Sequence, residues 1–232
     1  MIKIVALDAD DTLWHNEPLF TQTKNRFRDF LSGYHDPEWV EERLYDTEIK
    51  NLRHFGYGIK SFALSMIETA IELTEGRISG GEVQEIMNFA KEMLAAPVCL
   101  LDGVEETVAQ LAREHYVMLV TKGDLFDQES KLARSGLGDL FSDVEVVTEK
   151  TCSTYQTIAT RKNVKPHEFV MVGDSLKSDI LPVLDAGAHA IHVPYSTVWE
   201  HEAVSEEVLA GYDFPRARDI WDVPRIVEDL NN

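Results

Sequence analysis

The chain has 232 residues, 44% of them hydrophobic, which suits one sizeable α/β domain or a core domain carrying a smaller insert and excludes disorder as the default. Its 41 acidic against 22 basic side chains give a formal net charge of −19, a surface that repels nucleic acid and anionic membranes, since both bind through Lys and Arg. No apolar run reaches the length of a bilayer span, and the two cysteines, Cys99 and Cys152, form neither a disulfide framework nor a metal-ligand pair, so they read as buried reduced thiols.

Residues 2–7 (IKIVAL) read as a first strand that ends in Asp8-Ala9-Asp10-Asp11-Thr12. Residues 15–97 hold no convincing strand. Amphipathic helical stretches are predicted there at about 18–33, 37–54, 60–75 and 81–95, with Pro37, Gly56-Tyr57-Gly58 and Gly80-Gly81 at the joins. Trp14, Phe20, Phe27 and Phe30 read as the core of that insert. Tyr57, between two glycines, is the residue of the insert best suited to project into a cleft.

Beyond the insert, strands and helices alternate. A helix over 104–114 shows one apolar stripe through Val104, Val108, Leu111 and Ala112. A strand at 116–120 (YVMLV) ends in Thr121-Lys122-Gly123-Asp124, and a helix over 126–135 is stopped by Gly136. The strand 144–147 (VEVV) ends in Thr148-Glu149-Lys150, and a helix follows over 154–163. The strand 169–172 (FVMV) ends in Gly173-Asp174-Ser175, a helix over 178–186 is stopped by Gly187, and 190–193 (AIHV) is the last strand. Short, continuously apolar strands separated by helices predict a Rossmann-like, doubly wound, mainly parallel sheet buried on both faces. The expected division is a catalytic core of residues 1–14 and 98–232 and a helical cap of residues 15–97 lying over the sheet's carboxyl edge.

Open α/β sheets bind ligands outside the carboxyl ends of their strands. The polar residues predicted there are Asp8, Asp10, Thr12, Thr121, Lys150, Asp174 and Asp179. Carboxylates brought together repel and are costly to bury, so a hard divalent cation of the Mg2+ type is the natural compensation. Asp8 and Asp10, two apart in an extended run, can face one cavity, one as nucleophile and the other as proton shuttle. Thr121 and the backbone N–H groups of Lys122 and Gly123 are candidates to hold phosphoryl oxygens, and Lys150 to neutralise them. Asp174 is the expected metal ligand, with Asp179 supporting the metal or orienting Lys150.

Asp8-Ala9-Asp10-Asp11-Thr12-Leu13, Thr121 after its strand, Lys150, and Gly173-Asp174-Ser175 with Asp179 resemble, in order, the four motifs of the haloacid dehalogenase superfamily. The match runs through about residues 1–14 and 98–200, and the helical insert looks like that superfamily's C1 cap. The resemblance implies Mg2+ dependence, a phospho-aspartate on Asp8, and metal ligation by the backbone carbonyl of Asp10. It points to a phosphatase acting on small-molecule phosphate esters. Asp10 argues against a dehalogenase, whose departing halide needs no proton. A phosphonatase would need a cap lysine over Asp8, and neither Lys24, Lys50 nor Lys60 can be placed there from sequence. A phosphomutase, or a binding protein on the same scaffold without turnover, remains an alternative.

The plainer readings are structural. Asp11 is read as satisfying backbone N–H groups, Asp124 and Asp127 as helix caps, and His15, His189 and His192 as structural. Lys122 either lies beside the phosphate site or points to solvent. The N-terminal run turns acidic too soon for a secretory signal, so a soluble cytoplasmic protein is expected, monomeric or homodimeric, with no nucleic-acid or membrane partner.

Overall fold

A computed structural model describes residues 1–231. It contains five strands, β1 (Ile4–Leu7), β2 (Tyr116–Lys122), β3 (Asp143–Val147), β4 (Phe169–Gly173) and β5 (His189–His192), in one sheet of order β3-β2-β1-β4-β5. Every pairing is parallel. The chain builds outward from β1 to β2 and β3, then crosses back to place β4 and β5 on the other side. That reversal makes the gap between β1 and β4 the topological switch point, where such sheets bind ligands.

Alternation along the strands explains why their sequences look uniformly apolar. Val5, Leu7, Val117, Leu119, Val170 and Val172 pack on one face, with Val104 and Val108 of α5 (Val104–Leu111) and Val223 and Val227 near the C-terminus. Ile4, Ala6, Met118, Val120, Phe169 and Met171 pack on the other, with Tyr155 and Ile158 of α7 (Cys152–Arg161). Both faces of the sheet are buried, so no position in its central strands calls for a polar residue.

The described chain divides into two compact units. One comprises Met1–Glu17, Val98–Lys122 and the chain from Gln128 onward; the other comprises Pro18–Pro97 and Gly123–Asp127. The second unit is built on α1 (Glu17–Leu31), α2 (Pro37–Phe55), α3 (Ile59–Leu73) and α4 (Gly80–Ala95). Asp36 caps α2 ahead of Pro37, and a reciprocal Ser79–Glu82 pair caps α4. Phe27, Leu31, Leu44, Phe62 and Met66 are among the residues of its own core, which Phe20 and Phe30 adjoin.

Trp14 corrects the expectation for the insert's aromatics. It is buried in the core of the sheet unit, bridging to Asp10 and Leu100, rather than in the helical core. Neither cysteine forms a disulfide among the described residues, but Cys99 is exposed and Cys152 half-buried, so neither is the buried thiol expected. The expected helix over 178–186 is a π turn at Leu176–Ile180 leading into α8 (Leu181–Asp185). Past β5 lie two short helices, α9 (Glu206–Leu209) and α10 (Val223–Asp229). Among the described residues no helix is long and apolar enough to cross a membrane.

Candidate active site

Parallel register fixes which loops meet at the switch point. Leu7 pairs with Val172, and the Asp8 N–H donates to the Val172 carbonyl at 2.9 Å, so Asp8 and Gly173-Asp174 leave the sheet side by side. On the other flank Leu7 pairs with Leu119, which carries Thr121 to the level of Ala9. Between Asp8 and Asp179 lies Lys150, whose ammonium donates to Asp8 Oδ1 and, at 2.6 Å, to Asp179 Oδ1. All three side chains are buried.

The π turn places Asp179, whose Oδ2 also accepts the Ser175 N–H at 3.1 Å. With one oxygen on Lys150 and the other on the chain, Asp179 holds the lysine in place. Thr12 performs the same service for Asp174: its Oγ1 donates to Asp174 Oδ1 at 3.2 Å and accepts the Asp174 N–H at 3.1 Å. His192 Nε2 donates to the Asp174 carbonyl at 3.0 Å, which gives that histidine a structural role.

Electrostatics mark the same residues. Burial pushes the Asp8 carboxyl up to about 7, against the opposing pull of Lys150, with Asp179 adding to the rise. Burial, and then the charges of Asp8 and Asp179, hold the Asp174 carboxyl well above the usual carboxylate range. Burial works against the Lys150 ammonium, but Asp179 and Asp8 together raise its pKa. One oxygen from each of Asp8, Asp174 and Asp179 lies within 4.8 Å of the others. A single lysine does not neutralise three adjoining carboxylates, two buried and Asp174 half-buried, and this all-oxygen donor set fits a hard divalent ion such as Mg2+. Both oxygens of Asp179 already accept hydrogen bonds, from Lys150 and from the Ser175 N–H.

Asp10 does not share that cluster through its side chain. Its carboxylate accepts from Trp14 Nε1 at 2.7 Å, Gln128 Nε2 at 2.8 Å, and Lys131 Nζ at 2.9 and 3.1 Å. Burial opposes its ionisation, but Lys131 and these hydrogen bonds prevail and lower its pKa. Asp11 stands at φ 63° and accepts the N–H groups of Asn16 and Glu17, as expected of a loop acid. Asp124 accepts the Asp127 N–H at 3.1 Å, the expected cap, and pairs with Lys60 at 2.8 Å.

Thr121 is buried and donates to the Lys122 carbonyl at 3.2 Å. Gly123, at φ 129°, groups with the helical unit. Lys122 does not point to solvent; its ammonium donates to Glu202 Oε1 at 2.7 Å and Ser178 Oγ at 2.8 Å. Glu202 Oε2 accepts from the hydroxyls of Ser175 and Ser178, each at 2.5 Å. Sequence reasoning missed Gln128, Lys131 and Glu202. The lysine and the glutamate look like solvated surface charges until the fold buries Lys131 and half-buries Glu202.

The ordered motifs and this geometry agree with what the chain resembles. Residues 2–187 match the family of haloacid dehalogenase-like hydrolases. A glyceraldehyde 3-phosphate phosphatase of Pyrococcus furiosus is 32% identical, over 99% of this chain and 93% of that one. A protein of the same description from Methanopyrus kandleri is 26% identical, over 97% and 98%. A haloacid dehalogenase-like family hydrolase from Xanthomonas campestris, known from its crystal structure, superposes with a TM-score of 0.88 at 40% identity, over 99% of this chain and 91% of that one. By its own residues and by these likenesses, the chain belongs to the haloacid dehalogenase-like hydrolases.

Proposed function

We propose that this phosphatase of the haloacid dehalogenase-like family hydrolyses small-molecule phosphate monoesters with Mg2+, carrying the phosphoryl group on Asp8. The observation that supports this most directly is the buried Lys150 ammonium held between Asp8 and Asp179, with Asp174 beside them. Asp8 and Asp174, with the backbone carbonyl of Asp10, would hold the ion. Its positive charge lowers the cost of bringing a phosphate dianion to a carboxylate nucleophile.

An Asp8 oxygen attacks phosphorus as the ester P–O bond breaks, and Asp10, after taking up a proton from solvent, gives it to the departing oxygen. Water then attacks the acyl phosphate and loses a proton to Asp10. Cleavage of the bond to Asp8 releases inorganic phosphate and returns Asp8 to its starting form and Asp10 to the protonated one. Lys150 neutralises charge on the phosphoryl group throughout. The Thr121 hydroxyl and the N–H groups of Lys122 and Gly123 are the proposed holders of its oxygens. We assign the choice of ester to the helical insert, acting as a cap. The triose phosphate named in two relatives' descriptions supports testing sugar phosphates first.

The test is Mg2+-dependent release of inorganic phosphate from a panel of sugar phosphates, nucleotides and phospho-acids, with Asp8→Asn assayed beside the wild type. The variant should lose about 1,000-fold or more in kcat on every ester the wild type cleaves. Release at the wild-type rate from Asp8→Asn would overturn the proposal.

A further inference from the structure

The proton-shuttling role proposed for Asp10 leaves open what holds its side chain. The contacts around it are unusually complete. Both oxygens are engaged, Oδ1 by Trp14 Nε1 and Lys131 Nζ, and Oδ2 by Gln128 Nε2 and Lys131 Nζ. The residues that supply them are themselves fixed. Trp14, Gln128 and Lys131 are each less than a tenth exposed. Lys131 Nζ also donates to Asn16 Oδ1 at 3.0 Å, and Gln128 Nε2 donates to the Lys122 carbonyl at 3.0 Å. The lysine is therefore tied to the loop after β1, and the glutamine to the end of β2.

A lysine on α6 (Leu125–Ser135) has no packing reason to be buried, and its burial is costly without a partner. Its carboxylate partner, Asp10, belongs to the first motif but stands outside the Asp8–Asp174–Asp179 cluster. Trp14, Gln128 and Lys131 all donate to Asp10, so the cage fits the carboxylate, the form that accepts a proton from water. To give a proton, the carboxyl must loosen at least one of these bonds.

We propose that Lys131, backed by Gln128, is the positioning residue for Asp10, fixing its carboxylate for the proton transfers of turnover while taking no part in the attack by Asp8. The inference rests on the phospho-aspartate reading above. It separates two kinds of chemical step. Formation of the Asp8–phosphorus bond from an ester with a good leaving group needs no proton from Asp10. Expulsion of an alkoxide, and hydrolysis of the acyl phosphate, both need Asp10 in place.

The experiment uses the full chain with Mg2+ and compares wild type, Lys131→Met, Lys131→Arg and Asp8→Asn on p-nitrophenyl phosphate and on an alkyl phosphate. Lys131→Met should turn over p-nitrophenyl phosphate about 10- to 100-fold more slowly. Acid quenching should trap more Asp8-dependent phosphoenzyme in it than in the wild type, because hydrolysis slows while phosphorylation does not. Phosphorylation by the alkyl ester, followed in a single turnover, should slow as well. Lys131→Arg, which restores a cationic donor, should recover part of the loss, and Gln128→Ala should give a weaker version of the same pattern if the methionine variant fails to fold. A lower phosphoenzyme level with turnover falling in parallel would mean a structural role only and would overturn the inference. So would wild-type behaviour of Lys131→Met on both esters. Failure of the underlying reading looks different: Asp8→Asn would remain active and no protein would yield an acid-stable phosphoenzyme.

Discussion

Gly173 closes β4 with no room for a side chain. A Cβ built there would lie 2.3 Å from Asp179 Oδ2 and 2.4 Å from its Cγ, so any larger residue displaces the carboxylate that holds Lys150. Backbone strain is not the reason, since Gly173 is absent from the left-handed region. Gly173→Ala should destabilise the fold by about 1–3 kcal/mol, the usual cost of forcing atoms into a packed site. It should also lower kcat, because Lys150 loses its second anchor. Urea unfolding and the phosphatase assay together check this, and an alanine variant matching the wild type in both would contradict it. Asp8, Lys150, Asp174 and Asp179 were legible in the sequence because each follows or closely trails an apolar strand, where a charged residue has no place in the core. Lys131 was not legible. It lies within an amphipathic helix, where a lysine belongs to the solvated face unless a distant carboxylate claims it.

Among the elements, the segment after β5 carries a role that no pattern announced. Its strongest anchor is Glu202, gripped by Lys122, Ser175 and Ser178. Burial alone would raise the Glu202 carboxyl, but Lys122 and the three hydrogen bonds bring it from 4.5 down to about 2. A carboxyl whose folded pKa is depressed takes up protons in the unfolded chain first. Its stabilisation is therefore complete above about pH 5 and disappears as pH falls from about 4.5 toward 2. Glu202→Gln should cost about 2–3 kcal/mol near pH 7, with the gap from wild type narrowing through pH 4 and 3. Urea titrations at several pH values would show it, and a gap that stays constant from pH 7 to 3 would rule it out. The helices of the insert and the five strands were recoverable from periodicity and turn residues, because each element's burial pattern is local. Trp14 was assigned to the wrong core because an aromatic residue at the end of a strand-loop fits either neighbour, and only the bridge to Leu100 decides. Most of residues 194–222 lacks both periodicities. Beyond it, α10 packs Val223, Ile226 and Val227 on the sheet at helical spacing; the stretch around Glu202 is held by polar contacts that the sequence does not display.

At the scale of the whole molecule, two kinds of negative charge must be kept apart. The surface excess behind the net charge of −19 is solvated and attracts any cation weakly, an effect that salt screens. The Asp8–Asp174–Asp179 cluster is largely buried, with Asp174 half-buried, and its cost is written in the raised carboxyls of Asp8 and Asp174. An ion bound there stabilises the folded state by RT ln(1 + [Mg2+]/Kd), about 2.7 kcal/mol at a hundredfold excess over Kd. For a chain of this size that corresponds to roughly 5–10 °C in Tm. Thermal unfolding with MgCl2, against KCl of equal ionic strength, separates the two effects, since KCl screens the surface without filling the cluster. Asp174→Asn sharpens the comparison. Removing this half-buried acid relieves its own repulsion with Asp8 and Asp179, so the metal-free variant should melt at or above the wild-type temperature, yet gain almost nothing from Mg2+ beyond what KCl gives. If wild type and variant shift equally with Mg2+, the ion is acting on the acidic surface, and the buried cluster is not its site.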